Sequence, residues 1–210
     1  DAILFYRLGD FYEMFFDDAK LASQELDLVL TGRSAGVEEK VPMCGVPFHA
    51  ANSYISRLVK KGYKVAICEQ LEDPSSAKGL VDRGIVKIIT PGTYMDATMD
   101  AKSTNYMASC SVSSFEITVI YCELSTGELK YQTLQRSLVA LQKALLEQNV
   151  SELVCPMTMD KKWIAALEEM DTMLVSKHKK SNIDLLDLPL LNEIESESLK
   201  EAFALLMAYL

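Results

Sequence analysis

Phe11 and Glu13 stand two residues apart in an aromatic, largely apolar stretch, Phe11-Tyr12-Glu13-Met14-Phe15-Phe16. On an extended strand alternate side chains share a face, so Phe11 and Glu13 point the same way, about 6.5–7 Å apart, while Tyr12 and Met14 take the other face. One face of such a strand can be wet and the other packed. An exposed ring beside a carboxylate suits the reading of distorted DNA: the ring wedges between bases and stacks, and the acid hydrogen-bonds the displaced base. Neither group needs net positive charge. The competing reading sends Phe11 into the core with Phe5, Phe15 and Phe16, the usual fate of an aromatic in a strand.

Other chemistries find less to work with. No Gly-x-x-x-x-Gly-Lys-Ser/Thr phosphate loop occurs, so nucleotide hydrolysis has no cradle in these residues. The five cysteines, Cys44, Cys68, Cys110, Cys122 and Cys155, are scattered without a Cys-x-x-Cys pair, which points to buried reduced thiols rather than disulfides or a zinc site. His49 and His178 are far apart and lack neighbouring ligands, so no structural metal is expected, and His49 is read as a structural hydrogen-bonding residue. A metal-dependent nuclease would use converging carboxylates. Glu116, Glu123 and Glu128 are the candidates, but the odd spacing of Glu116 and Glu123 puts them on opposite faces of one strand, and all three read as surface charges.

The formal charge of −9 argues against a nucleic-acid binder that relies on phosphate attraction. It is spread evenly: residues 1–100 hold 11 basic and 15 acidic side chains, and residues 101–210 hold 10 and 15. With 210 residues and 49% hydrophobic content, the chain can bury two small cores. It starts at Asp1 and runs to Leu210 in an apolar helical stretch with no stop signal, the pattern of a piece of a longer protein. No apolar run reaches membrane-span length and no leader opens the sequence, so a cytoplasmic location is the expectation.

The elements that must position Phe11 and Glu13 follow from period and punctuation. Leu4 to Leu8 reads as a strand, Gly9-Asp10 as a turn, and Phe11 to Phe16 as a second strand. Asp17-Asp18 opens a helix with Ala19, Ala22, Leu26 and Val29 on its buried face, running to about Leu30. Thr31 to Lys40 reads as a flexible loop carrying Arg33, and Pro42 to Pro47 as a rigid segment barred from a sheet interior by its prolines. Asn52-Ser53 caps a second helix that Gly62 ends, with Lys60, Lys61 and Lys64 solvated near its end. Val65 to Cys68 and Val86 to Ile89 read as short buried strands, separated by a break at Asp73-Pro74-Ser75-Ser76, and Pro91-Gly92 is a turn. The polar, aperiodic stretch 93–103 marks a domain boundary.

Beyond it the α/β theme repeats. Tyr106 to Val112, Glu116 to Leu124 and Leu129 to Leu134 read as strands, with Ser125-Thr126-Gly127-Glu128 as a hairpin turn. A helix carrying Leu138, Leu141 and Leu145 leads to a strand at Glu152 to Cys155. Residues from 156 onward read as mostly helical, with Lys177-His178-Lys179-Lys180 a solvated surface. The fold class is α/β in two domains, residues 1–97 and 105–210.

Several long motifs together carry a family resemblance. Phe5-Tyr6-Arg7-Leu8-Gly9-Asp10-Phe11-Tyr12-Glu13, Pro42-Met43-Cys44-Gly45-Val46-Pro47-Phe48-His49-Ala50, Val65-Ala66-Ile67-Cys68-Glu69-Gln70 and Thr90-Pro91-Gly92-Thr93 stand in the order and spacing of the MutS mismatch-recognition domain. Residues 4–94 resemble that domain, a mixed-sheet fold. Residues from about 105 resemble, more weakly, the connector domain of the same family, whose fold is similar to that of ribonuclease H.

The resemblance implies that Phe11 stacks on a mismatched or unpaired base from the minor groove of kinked DNA and that Glu13 hydrogen-bonds that base. It implies further DNA contacts by Arg33 and Met43; the alternatives are a solvated loop charge and a core residue. Like charge from phosphates and partial burial would raise the Glu13 pKa in the complex, so that it could meet a purine acceptor protonated or a thymine imide ionised. No catalytic residue is implied for these residues. For the parent protein the resemblance implies ATP and magnesium, a second MutS-type subunit, and a downstream factor of MutL type. The alternatives are a protein-interaction module of a repair factor and the ribonuclease H-like nuclease.

Overall fold

The computed structural model describes residues 2–34, 40–72, 81–95, 104–179 and 195–210. The chain divides into two compact units, Asp1–Tyr94 and Met95–Leu210. The expected break at Asp73-Pro74-Ser75-Ser76 and most of the boundary stretch 93–103 lie outside the described residues, as does Lys180. No helix among the described residues is long and apolar enough to cross a membrane.

The first unit is built on β1 (Ile3–Leu8) and β2 (Phe11–Phe15), antiparallel neighbours joined at Gly9-Asp10. Gly9 has φ +58°, a left-handed conformation that costs glycine nothing. α1 (Phe16–Leu26) follows, then β3 (Thr31–Arg33), β4 (Val41–Pro47), a single 3₁₀ turn (Phe48–Ala50), α2 (Ala51–Lys60), β5 (Val65–Gln70) and β6 (Arg83–Ile89). The sheet order is β3-β4-β2-β1-β5-β6, antiparallel throughout except for the parallel β1–β5 pair. Alternation fixes one inward face. Ile3, Phe5, Tyr12, Met14, Cys44, Val46, Val65 and Ile67 form one buried cluster with Ala19, Ala22 and Leu26 of α1 and Ile55, Leu58 and Val59 of α2.

Several expectations need correction here. α1 stops at Leu26 because Asp27 takes a left-handed cap at φ +57°, which leaves Val29 and Leu30 exposed. Asp17 and Asp18 lie in its first turn without capping it; the Asp18 carboxylate accepts from the Leu4 amide at 2.9 Å, tying the helix to β1. Thr31–Arg33 is a strand, not a loop, while Ala35 to Glu39 lie outside the described residues. Residues 41–47 form an interior strand despite two prolines, because Pro42 and Pro47 stand near its ends, where few ladder bonds are lost.

α2 begins at Ala51 after the 3₁₀ turn, and the Ser53 hydroxyl donates back to the Ala50 carbonyl instead of capping. Lys61 is not merely solvated: it pairs with Glu25 at 2.7 Å, and Tyr63 donates to the same carboxylate at 2.9 Å. These two hydrogen bonds hold the Glu25 carboxyl below the usual range. β6 is an edge strand exposing Ile85, Val86 and Ile88, with only Ile89 reaching the core.

The second unit is a sheet between two helical layers. β7 (Tyr106–Val112), β8 (Glu116–Glu123) and β9 (Glu128–Gln135) form an antiparallel meander, and β10 (Val150–Pro156) and β11 (Leu174–His178) extend it in parallel, giving the order β11-β10-β7-β8-β9. α3 (Leu138–Glu147) and α4 (Lys161–Glu168) pack Leu141, Leu145, Ile164 and Leu167 on one face against Ala108, Cys110, Val119 and Tyr121. α5 (Glu197–Tyr209) packs Leu199, Phe203 and Leu206 against Met107, Ile120, Cys122 and Val154 on the other. Strands covered on both faces read as near-continuous apolar runs, as β7 and β8 do. Ser137, Asp160 and Ser196 cap the three helices through their side chains.

The expected helical tail is corrected by β11, which takes Lys177 and His178 into the sheet edge; Lys177 pairs with Glu168 at 3.3 Å. All five cysteines are free and buried. Burial pushes the Cys44 and Cys155 thiols up to about 11, so neither is a reactive thiolate at neutral pH.

Candidate functional site: the open face of the first sheet

Both helices of the first unit cover the same face of its sheet, and the other face is left open around β2. Phe11, Glu13 and Phe15 lie on that open face, opposite Pro47, Gly45 and Met43 of β4, with Leu8 and Tyr6 of β1 across from Phe11 and Glu13. Phe11 is 47% exposed, whereas Tyr12 and Met14 are buried at 7% and 0%. The core reading of Phe11 therefore fails: of the aromatics that would have accompanied it, Phe5 is buried, but Phe16 is 64% exposed. Phe16 also sits at φ +55°, an outlier for a bulky residue, at the corner between β2 and α1.

The turn before Phe11 is held from several sides. Arg7 donates from Nε to the Gly9 carbonyl at 2.5 Å, and its guanidinium lies over the Phe48 ring, 3.8 Å from the centroid. The Phe48 amide donates to the Asp10 carbonyl at 2.9 Å. Beneath, Glu69 lies 3.8 Å from Arg7 and accepts a hydrogen bond from the buried Tyr12 hydroxyl. Burial, reinforced by that bond to Glu69, raises the Tyr12 pKa, which keeps the phenol a neutral donor. Sequence reasoning placed Arg7, Phe48 and Glu69 in motifs without assigning them this role. Their meeting, from β1, the 3₁₀ turn and β5, is invisible until the register is known.

Glu13 and Arg33 are brought together. Arg33 Nη1 donates to Glu13 Oε2 at 2.5 Å, with the arginine side chain 48% and the glutamate 18% exposed. Since β4 separates β2 from β3, the pair reaches over that strand. Opposite Glu13, Gly45 lets β4 approach β2 closely: a Cβ there would stand 3.2 Å from the Tyr12 carbonyl and 3.5 Å from Glu13 Cγ. A half-exposed pair of this kind adds only about 0–1 kcal/mol to stability, so its effect is on where the carboxylate points.

Met43 is half-buried on the same face, paired with Phe15 and Thr31, and is thus not the core residue of the alternative reading. Thr31 donates to its carbonyl at 3.1 Å, which fastens the short β3 and so the base of Arg33. His49 is exposed and meets the Phe48 ring edge-on at 5.9 Å, a ring contact in place of the expected structural hydrogen bond.

In the second unit the three glutamates do not converge. Glu116 and Glu123 stand at opposite ends of β8. Glu123 is buried, and its carboxylate accepts from Ser125 Oγ at 2.8 Å, Thr126 Oγ1 at 2.6 Å and the Thr126 amide at 2.9 Å. It fastens the hairpin turn, which corrects its reading as a surface charge. Glu128 accepts from the Tyr106 hydroxyl at 2.7 Å. A nuclease site built on these residues has no geometry to support it.

The first unit is thus an α/β module with one sheet face sealed by helices and the other presenting Phe11, Glu13, Arg33 and Met43. Comparison with known proteins makes the family specific. Residues 1–98 match the family model "MutS domain I". The "DNA mismatch repair protein MutS" of Clostridium botulinum (strain Loch Maree / Type A3) is 47% identical over 195 residues, 88% of this chain and 20% of that protein. The protein of the same name from Clostridium tetani (strain Massachusetts / E88) is 43% identical over 210 residues, 99% of this chain and 23% of that protein. The chain belongs to the MutS family. It spans about a fifth of the length of the curated relatives it matches.

Proposed function

We propose that this chain carries the mismatch-reading part of a DNA mismatch-repair protein. Phe11 stacks on a mismatched or unpaired base from the minor groove of kinked DNA, and Glu13 hydrogen-bonds that base. The observation that carries this reading is the half-exposed Phe11 ring beside Glu13 on the open sheet face, in a chain whose relatives bear the name of a mismatch-repair protein. Arg33 and Met43, on the same face, border the base. The acidic balance is compatible with the role, because stacking and a carboxylate hydrogen bond discriminate between bases without supplying phosphate affinity.

The second unit is read as the connector, and its antiparallel meander extended by parallel strands between helical layers supports a ribonuclease H-like assignment. In that reading it relays signals between the DNA-reading unit, an ATPase supplied by the rest of a cytoplasmic parent protein with ATP and magnesium, a second MutS-type subunit and a MutL-type factor.

The test is binding of the intact protein to mismatched and fully paired duplexes at one stated salt concentration, wild type against Phe11→Ala. Stacking of an aromatic on a base contributes about 1–3 kcal/mol, so the substitution should cut the preference for the mismatch by roughly 5- to 160-fold. Unchanged preference would remove Phe11 from the reading site and favour the protein-interaction module.

A further inference from the structure

We propose that Arg33 is the specificity-determining partner of Glu13: by holding Oε2 it orients the carboxylate and turns Oε1 toward bases that present an N–H donor. The inference rests on the reading of Phe11 and Glu13 as the base-contacting pair and deepens it. The ion pair is present without DNA, at 2.5 Å, and engages one carboxylate oxygen. An ionised carboxylate has two acceptor oxygens and no donor, so the second remains available to a base.

Arg33 is the cation in contact with Glu13, while Arg83 lies over the Tyr6 ring, 5.4 Å from its centroid. Across the sheet Glu13 faces Tyr6 on β1 and Gly45 on β4, and neither brings a charge at neutral pH. Gly45 brings no side chain to compete for the carboxylate. A guanidinium carries donors and no acceptor, so its contact with Oε2 fixes how the carboxylate is turned. An anionic Glu13 accepts from the imide N–H of thymine or guanine, but it offers nothing to the ring-nitrogen acceptors of adenine. Arg33 thereby biases the site toward unpaired or mispaired bases with an imide. This differs from a phosphate contact, which would strengthen binding to every duplex alike and steepen its salt dependence.

The experiment measures binding of the intact protein to three duplexes, one with a single unpaired thymine, one with a single unpaired adenine and one fully paired, across a salt series. The variants are Phe11→Ala, Glu13→Gln, Arg33→Gln and Arg33→Lys. Arg33→Gln should lower the preference for unpaired thymine over unpaired adenine roughly tenfold, the scale of one charge-assisted hydrogen bond. The unpaired-thymine duplex should lose more affinity than the unpaired-adenine duplex, and Arg33→Lys should retain most of the preference. If Arg33→Gln weakens all three duplexes equally and flattens the salt slope by about 0.9, Arg33 is a phosphate ligand and the proposal is overturned. An unchanged thymine-to-adenine preference in Arg33→Gln overturns it as well. Should Phe11→Ala and Glu13→Gln both leave mismatch discrimination intact, the base-reading assignment itself has failed, a result separable from the Arg33 arm.

Discussion

Arg7 does two things that a lysine in its place could not. Its planar guanidinium stacks on the Phe48 ring at 3.8 Å, and its Nε reaches the Gly9 carbonyl at 2.5 Å in a fixed direction. Together these brace the turn from which Phe11 emerges. Arg7→Lys keeps the charge and loses the geometry, at a cost of about 1–2 kcal/mol from the stacking and the hydrogen bond. The expected outcome is a melting temperature a few degrees lower and a several-fold weaker mismatch preference, with paired-duplex binding little changed. Thermal denaturation and competition binding check both parts; a variant that is less stable yet discriminates as well as wild type would show that the turn does not need this brace. The residues of the site were legible in unequal measure. Period two alone put Phe11 and Glu13 on one face and Tyr12 on the other. The Arg33–Glu13 pair was not legible, because it depends on β4 standing between β2 and β3, a non-local pairing that spacing does not reveal.

Among the elements, the β8–β9 hairpin shows how a carboxylate can serve as a structural clasp. The hydrogen bond from Thr126, followed by those from Ser125, holds the Glu123 carboxyl below its ordinary range. A pKa lower in the folded than in the unfolded chain means that the stabilisation is complete above the unfolded value. It is lost as pH falls through the folded one. Glu123→Gln should therefore melt below wild type at pH 7, with the gap closing as pH drops beneath about 4, where the unfolded carboxyl is itself protonated. A gap independent of pH would mean that shape alone matters at this turn. The hairpin was readable from Ser125-Thr126-Gly127, and Gly127 takes φ +74° as its turn requires. Elements flanked by strong punctuation, such as α2 with Gly62 and α3 with its leucine stripe, were readable for the same reason. β3 and β11 were not: three exposed residues, and five that run from Leu174-Val175 into Lys177-His178, carry no apolar alternation, and they become strands because a neighbouring strand offers its edge. The prolines of β4 misled in the opposite sense, since proline's position within a strand matters more than its presence.

At the scale of the whole molecule, two sets of cores define two units: among the described residues, the cluster around Phe5 and Met14 draws on residues up to Tyr94, and those around Tyr121 and Leu206 on residues after it. The second unit also buries a carboxylate. Glu152, with no exposed surface, accepts from Ser176 Oγ at 2.6 Å and from the Tyr209 hydroxyl at 2.5 Å, which ties β10, β11 and the end of α5 together. A buried acceptor that loses a donor costs more than the bond it had, because the lost partner is not replaced by water. Tyr209→Phe should accordingly destabilise the second unit by about 1–3 kcal/mol. Amide hydrogen exchange would locate the effect, with faster exchange in β10, β11 and α5 and unchanged protection in β1, β2 and β5 of the first unit. Separate cores predict that confinement, since the packing of Phe5 and Met14 borrows nothing from Glu152. If protection in β1 and β2 fell in step, the two units would be one cooperative structure, and a substitution in the second could then weaken mismatch reading by loosening the strand that carries Phe11.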